Sequence, residues 1–140
     1  MRIMAIDYGD AHTGIAISDP TGLLAGFTTV INAYRPDRVT GQIALLAKEH
    51  RVERLVLGHP INMDGTRGPR SEKAQAMRQL LKETTGLPVV LWDERRTTIE
   101  AHQILHASGK RMKNHKKNVD AVAATLILEG YLARKRLARS

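Results

Sequence analysis

The sequence predicts a mixed α/β fold: a five-stranded sheet, three antiparallel strands followed by two parallel ones, covered by helices. Two patterns carry this expectation. Three β-rich runs follow one another closely at the start, joined by short polar loops, as in an antiparallel meander. Beyond them, short apolar runs alternate with segments of helical spacing, the pattern of parallel strands with crossover helices. The length, 140 residues, suits a single domain spanning 1–140 that buries roughly two-thirds of its unfolded-chain surface.

Each element has its own signal. Arg2 to Asp7, Thr13 to Asp19 and Leu23 to Ile31 read as the three strands of the meander, with Pro20-Thr21-Gly22 turning the chain between the last two. Pro36-Asp37 opens a helix whose Val39, Ile43, Leu46 and Ala47 recur at helical spacing. Val52 to Leu57 is the fourth strand, and Gly65 to Pro69 a loop. A helix from Arg70 to Thr84 carries Ala74, Met77 and Leu81 on one face and stops at Gly86. Val89 to Trp92 is the fifth strand. Thr97-x-x-Glu100 has capping-box spacing, predicting a helix to Ala107 and giving Glu100 a structural role. The last helix, Asn118 to Leu137, presents Val119, Val122, Ala123, Leu126 and Ile127 to the core, its small residues allowing close approach to a sheet.

Composition narrows the function. The chain holds no cysteine, which excludes disulfides, thiolate nucleophiles and cysteine-rich zinc sites and leaves oxygen and imidazole ligands. No apolar run reaches the roughly 18 residues of a membrane span, and Met1-Arg2 leads directly into a strand pattern rather than a signal region. A cytoplasmic protein without a membrane partner is expected. The formal net charge of +8 favours a polyanion, with nucleic acid the leading candidate. The run from Lys110 to Lys117 concentrates five cations without an acid, and Arg134-Lys135-Arg136 with Arg139 forms a second cluster. The alternative is a generally basic, solvated surface.

Acidic residues mark element ends. Asp7 closes the apolar run Ile3-Met4-Ala5-Ile6 and is followed by Gly9 and Gly14; Asp93-Glu94 follows the fifth strand; Asp120 heads the last helix. Carboxylates at strand tips beside glycines can meet a metal or a phosphate at close range, so these positions suggest a carboxylate metal site. Each has a structural reading beside it. Asp7 could hydrogen-bond the loop amides that follow it, Asp93 could begin a turn, Glu94 could pair with Arg95 or Arg96, and Asp120 could answer the helix dipole. Asp64, in an Asp-Gly pair, is by type a turn former, with an accessory ligand or substrate contact as its other reading. His102 and His106 stand four apart on a predicted helix, but the glutamate of His-Glu-x-x-His is missing, which argues against zinc.

Four blocks together resemble the YqgF or RuvX-like family of the ribonuclease H-like superfamily, described as pre-16S rRNA nucleases or Holliday-junction-resolvase-like enzymes. They are Ile6-Asp7-Tyr8-Gly9 running to Gly14-Ile15-Ala16-Ile17-Ser18-Asp19; Leu57-Gly58-His59-Pro60-Ile61-Asn62-Met63-Asp64-Gly65-Thr66; Asp93-Glu94-Arg95-Arg96-Thr97-Thr98; and Asn118-Val119-Asp120-Ala121-Val122-Ala123-Ala124. Two positions depart from the family pattern. His12 stands where arginine is usual, at a loop phosphate contact, and His59 interrupts what is usually Gly-Leu-Pro.

The resemblance implies a ribonuclease H-like five-stranded sheet with helices on both faces. It also implies that Asp7, Glu94 and Asp120, with Asp93 as the alternative after the fifth strand, converge on Mg²⁺ or Mn²⁺. Carboxylates held so close repel one another unless a hard cation neutralises them. The implied reaction is phosphodiester hydrolysis that leaves a 5′-phosphate and a 3′-hydroxyl. Arg95 could steady the scissile phosphate, Lys113, Lys116 and Lys117 could grip the strand being cut, and Asn62 and Thr66 offer sugar-phosphate contacts. Processing of the 5′ end of pre-16S rRNA is the expected role, with branched-DNA resolution or a non-catalytic RNA-binding assembly module as alternatives. A monomer or weak homodimer is expected. Sugar-kinase-type and actin-like ATPases share the core fold, but they bind ATP between two such domains, and this length and the lack of a Gly-x-x-x-x-Gly-Lys motif argue against that reading.

Overall fold

The computed structural model describes residues 1–22, 24–59, 68–93 and 119–139, with side chains detailed to Arg136 and, in the last helix, from Ala121. Strand β1 (Ile3–Asp7), β2 (His12–Ser18) and β3 (Ala25–Asn32) form the antiparallel meander, and helix α1 (Pro36–Glu49) follows. Strand β4 (Arg54–His59), helix α2 (Pro69–Thr85), strand β5 (Val89–Asp93) and helix α3 (Val119–Arg139) complete the order. The strands lie in the order β3-β2-β1-β4-β5, with β1 antiparallel to β2 and parallel to β4, and β4 parallel to β5. The five-stranded mixed sheet is therefore the one expected.

Strict alternation along the strands sorts side chains onto two faces. Met4, Ile6, Ile15, Ile17, Leu55, Leu57 and Val89 pack under α1 and α2 with Val39, Ile43, Met77 and Leu81. Ile3, Ala5, Ala16, Val56 and Trp92 pack on the other face against Ala124, Ile127, Leu128 and Leu132 of α3. Helices thus cover both faces, and the alanines of α3 are the small residues that let it lie close to the sheet.

Helix boundaries follow their punctuation. Pro36 and Pro69 sit in the first turns of α1 and α2, where a missing N–H costs nothing. Gly86 ends α2 in the left-handed conformation at φ 70°, its amide bonded to the Lys82 carbonyl. Strand β4 starts later than the apolar run Val52 to Leu57 suggests. Val52 is buried, but its amide closes α1 by bonding the Ala47 carbonyl at 2.8 Å, after Arg51 has turned the chain at φ 54°. The strand consequently reaches two residues further, to His59. The helix expected over 97–107, the Asp64 turn and the His102–His106 pair lie outside the described residues. Among the described residues, no helix is long and apolar enough to cross a membrane.

Candidate active site

Asp7 is the last residue of β1 and belongs to the face covered by α3, two positions beyond Ala5. Its antiparallel partner on β2 is Gly14. On the other side, the parallel register pairs Ile6 with Leu57, so one step further Gly58 stands beside Asp7. Both cross-strand neighbours of the carboxylate thus lack side chains. On this face the row across the sheet reads Gly14, Asp7, Gly58 and then Trp92, the β5 partner of Gly58. Asp7 is partly exposed, and the two glycines beside it leave a shallow bay in the row of side chains on this face.

The run of α3 brings Asp120 to the same end of the sheet. Near the C-terminus of the helix, Leu132, Lys135 and Arg136 line a small cavity with Met1 and Ile3, at the start of β1. The Tyr131 hydroxyl accepts a 2.7 Å hydrogen bond from Arg54, at the start of β4, and its ring meets Trp92 edge-on at 6.2 Å. The helix is therefore antiparallel to β1 and β4. At about 1.5 Å per residue it rises about 18 Å from Leu132 back to Asp120, while β1 covers about 13 Å from Ile3 to Asp7. The first turn of α3 consequently lies at the end of the sheet where Asp7 emerges.

Asp93 does not share that bay. Its register partner on β4 is His59, and both belong to the face of Val89 and Leu57, under α2. His59 is buried, 6% exposed, and its Nε2 shares a 2.6 Å hydrogen bond with the hydroxyl of fully buried Ser71 in the first turn of α2. The departure at His59 is thus accommodated by a polar tie between β4 and α2. At the other departure, His12 Nδ1 lies 2.7 Å from Asn32 Oδ1, across the β2–β3 pair. The turn after Asp7 is tight: a Cβ at Gly9 would collide with the His12 carbonyl oxygen.

On the α2 side of the same edge, Tyr8, Gly9, Asp10, Gly58, Arg70, Lys73 and Ala74 enclose a cleft of about 80 Å³. Lys73 Nζ contacts the Asp10 carboxylate at 3.3 Å. Burial, reinforced by Asp10 and opposed by Lys73, holds the Tyr8 phenol above its ordinary pKa of 10.0, so it remains a hydrogen-bond donor at neutral pH. Tyr8, Arg70 and Lys73 are not among the residues that the sequence singles out. The available signal is Arg70 and Lys73 at i, i+3 spacing in the opening turns of a helix that follows a glycine-rich loop.

Glu94, Arg95, Asn62, Thr66, Lys113, Lys116 and Lys117 lie outside the described residues, as does the side chain of Asp120. Among the described residues, no three His, Asp or Glu side chains gather as a metal-binding group. The donor set fits a hard divalent ion in part: Asp7 carries oxygen donors at the end of β1, α3 begins at the same end with a second acid, and the sequence holds no cysteine thiolate.

A model of the RuvX family, described as Holliday junction resolvase, matches residues 1–134. The chain belongs to the RuvX family. A relative from Halothermothrix orenii, named "Putative pre-16S rRNA nuclease", is 42% identical over 132 residues, covering 94% of each chain. A Bacillus subtilis relative of the same name is 42% identical and covers 94% of this chain and 97% of its own. Among solved structures, Thermus thermophilus RuvC in complex with a Holliday junction superposes with a TM-score of 0.64 at 14% identity, covering 96% of both chains. At that identity the likeness speaks to the fold alone, a ribonuclease H-like one. The family match covers all the described strands and both acids that end β1 and begin α3.

Proposed function

We propose that this protein is a Mg²⁺- or Mn²⁺-dependent endonuclease of the cytoplasm that cuts structured RNA, processing the 5′ end of pre-16S rRNA in ribosome biogenesis. The observation that carries this reading is Asp7 standing between Gly14 and Gly58 at the end of the sheet where α3 begins. The names of relatives at 42% identity support an RNA substrate, and the net charge of +8 suits a polyanion.

In this proposal Asp7, Glu94 and Asp120 hold the metal. Glu94 is preferred to Asp93 because side chains alternate along extended chain. The register of β5 against β4 puts Asp93 on the α2 face, opposite that of Asp7. A bound divalent ion would supply Lewis acidity at the phosphoryl oxygens and lower the pKa of the attacking water. The chain's own groups supply position. The two glycines admit the scissile phosphate to the bay, and Arg95 orients it through a planar, two-pronged contact. Asn62 and Thr66 contact sugar and phosphate beyond the end of β4, and Lys113, Lys116 and Lys117 hold the strand ahead of α3. The protein acts as a monomer or weak homodimer.

A second reading, cleavage of branched DNA, is favoured by the description of the family model. One experiment separates the two. A ribosomal precursor fragment and a four-way junction are offered side by side, with and without Mg²⁺, to the wild type and to Asp7→Asn. Metal-dependent cutting of the precursor, reduced by on the order of 100-fold or more in the nearly isosteric variant, is expected. Cutting of the junction alone would transfer the assignment to DNA. Binding without metal-dependent cutting of either would leave an RNA-binding assembly module.

A further inference from the structure

We propose that the cleft between the β1–β2 turn and the start of α2 is a second phosphate subsite, which seats a backbone phosphate of the nucleic acid beside the scissile one. It rests on the nuclease reading of the adjoining bay and extends it to the opposite face of the sheet. The walls of the cleft are Tyr8, Gly9 and Asp10 on one side and Arg70, Lys73 and Ala74 on the other, with Gly58 between. Tyr8 directly follows Asp7, and Gly58 stands beside Asp7 on the neighbouring strand. A strand laid over this edge of the sheet, with one phosphate at Asp7, meets the cleft next.

The chemistry suits a phosphodiester. Arg70 offers a planar fork of donors, and among the described residues no carboxylate pairs with it. Lys73 is held over the cleft by Asp10, but both side chains are largely exposed, at 60% and 85%. An exposed pair of this kind is worth little, and it exchanges readily for a phosphate oxygen. The Tyr8 hydroxyl adds a neutral donor, and Gly9 and Gly58 contribute only backbone to the wall of the cleft. Asp10 is the one acidic wall. It disfavours dense anions such as free phosphate at this place relative to a singly charged diester approached from the Arg70 side.

The test reads binding, independently of cutting. A fluorescently labelled single-stranded RNA and an RNA stem are titrated with full-length protein in Ca²⁺ across a salt series. The variants are Arg70→Gln/Lys73→Gln and, as a control for charge on the same helix, Lys82→Gln. The double variant should bind about tenfold more weakly at low salt, and the slope of log K against log salt should fall by about 0.7 for each single-strand phosphate it no longer neutralises. Lys82→Gln should leave that slope at the wild-type value. Equal slopes for the double variant and the control would overturn the subsite while leaving metal-dependent cutting by the wild type intact. Absence of cutting by the wild type would overturn the nuclease reading, with the slopes still deciding the cleft. Circular dichroism melting of the double variant separates weaker phosphate binding from unfolding. A lowered slope in a variant that melts with the wild type is the supporting result.

Discussion

Asp7 and Asp93 end the two strands that flank β4, yet they belong to opposite faces of the sheet: Asp7 to the face of Ala5 under α3, Asp93 to the face of Val89 under α2. Only one of them can serve the bay between Gly14 and Gly58. Neutralising Asp93 as Asp93→Asn should therefore leave Mg²⁺-dependent cleavage within a few-fold of wild type, whereas Glu94→Gln should reduce it as severely as Asp7→Asn, on the order of 100-fold. Initial rates over a Mg²⁺ titration measure both. The reverse ranking would assign the ligand to Asp93.

Charge reversal at Lys113, Lys116 and Lys117 should weaken RNA binding and flatten its salt dependence, by about 0.7 to 0.9 in slope for each phosphate no longer neutralised. Binding isotherms at several salt concentrations give the slope. An unchanged slope would remove this segment from the nucleic-acid-binding surface.

The tie between His59 and Ser71 supports a prediction about stability. Ser71→Ala takes a partner from a buried imidazole nitrogen and should cost about 1–3 kcal/mol. Adding His59→Leu removes the nitrogen as well, so the double variant should lose less than the sum of the two single losses. Urea denaturation of both single variants and the double variant closes the cycle.

Thr13 is fully buried, on the face of Ile15 and Ile17, and its hydroxyl has no hydrogen-bond partner among the described residues. Thr13→Val replaces that hydroxyl by a methyl of similar size. It should stabilise the fold by on the order of 1 kcal/mol, read as a raised Tm in calorimetry. A lowered Tm would mean that the hydroxyl is satisfied.

Tyr8 sets an alkaline limit. Its phenol pKa is raised in the folded protein, by burial first and by Asp10 second, so on alkalinisation the unfolded chain loses this proton before the folded one does. The stability it contributes is complete below the ordinary value of 10.0 and disappears as pH rises through the folded value. Tyr8→Phe should make the fall of stability above pH 10.0 shallower, measured by denaturant midpoints at stepped pH.

Much of this was legible in the chain. Ile3-Met4-Ala5-Ile6 is an uninterrupted apolar run ended by an acid, and its neighbours in space, β2 and β4, are equally apolar, so the centre of the sheet and the exit of Asp7 could be read directly. Pro36, Pro69 and Gly86 punctuate their helices as their chemistry dictates. Val52 misled because an apolar side chain signals burial, whereas strand membership depends on where its amide goes. The choice between Asp93 and Glu94 was beyond reach for a related reason: adjacent residues differ only in face, and face depends on register against β4. The cleft of Tyr8, Arg70 and Lys73 joins segments far apart in the chain, and no local pattern reports that meeting.

The antiparallel course of α3 along β1 acts as an angular lock on the catalytic end of the protein. Leu132, Leu128 and Ala124 are seated on the sheet, so the azimuth of Asp120 is dictated from behind, by the packed body of the helix. Adding one residue between Ala121 and Ala124 would rotate position 120 by about 100° around the helix axis relative to the packed residues. The connection ahead of Val119 can change length without turning the helix, because the packed residues behind it fix the rotation.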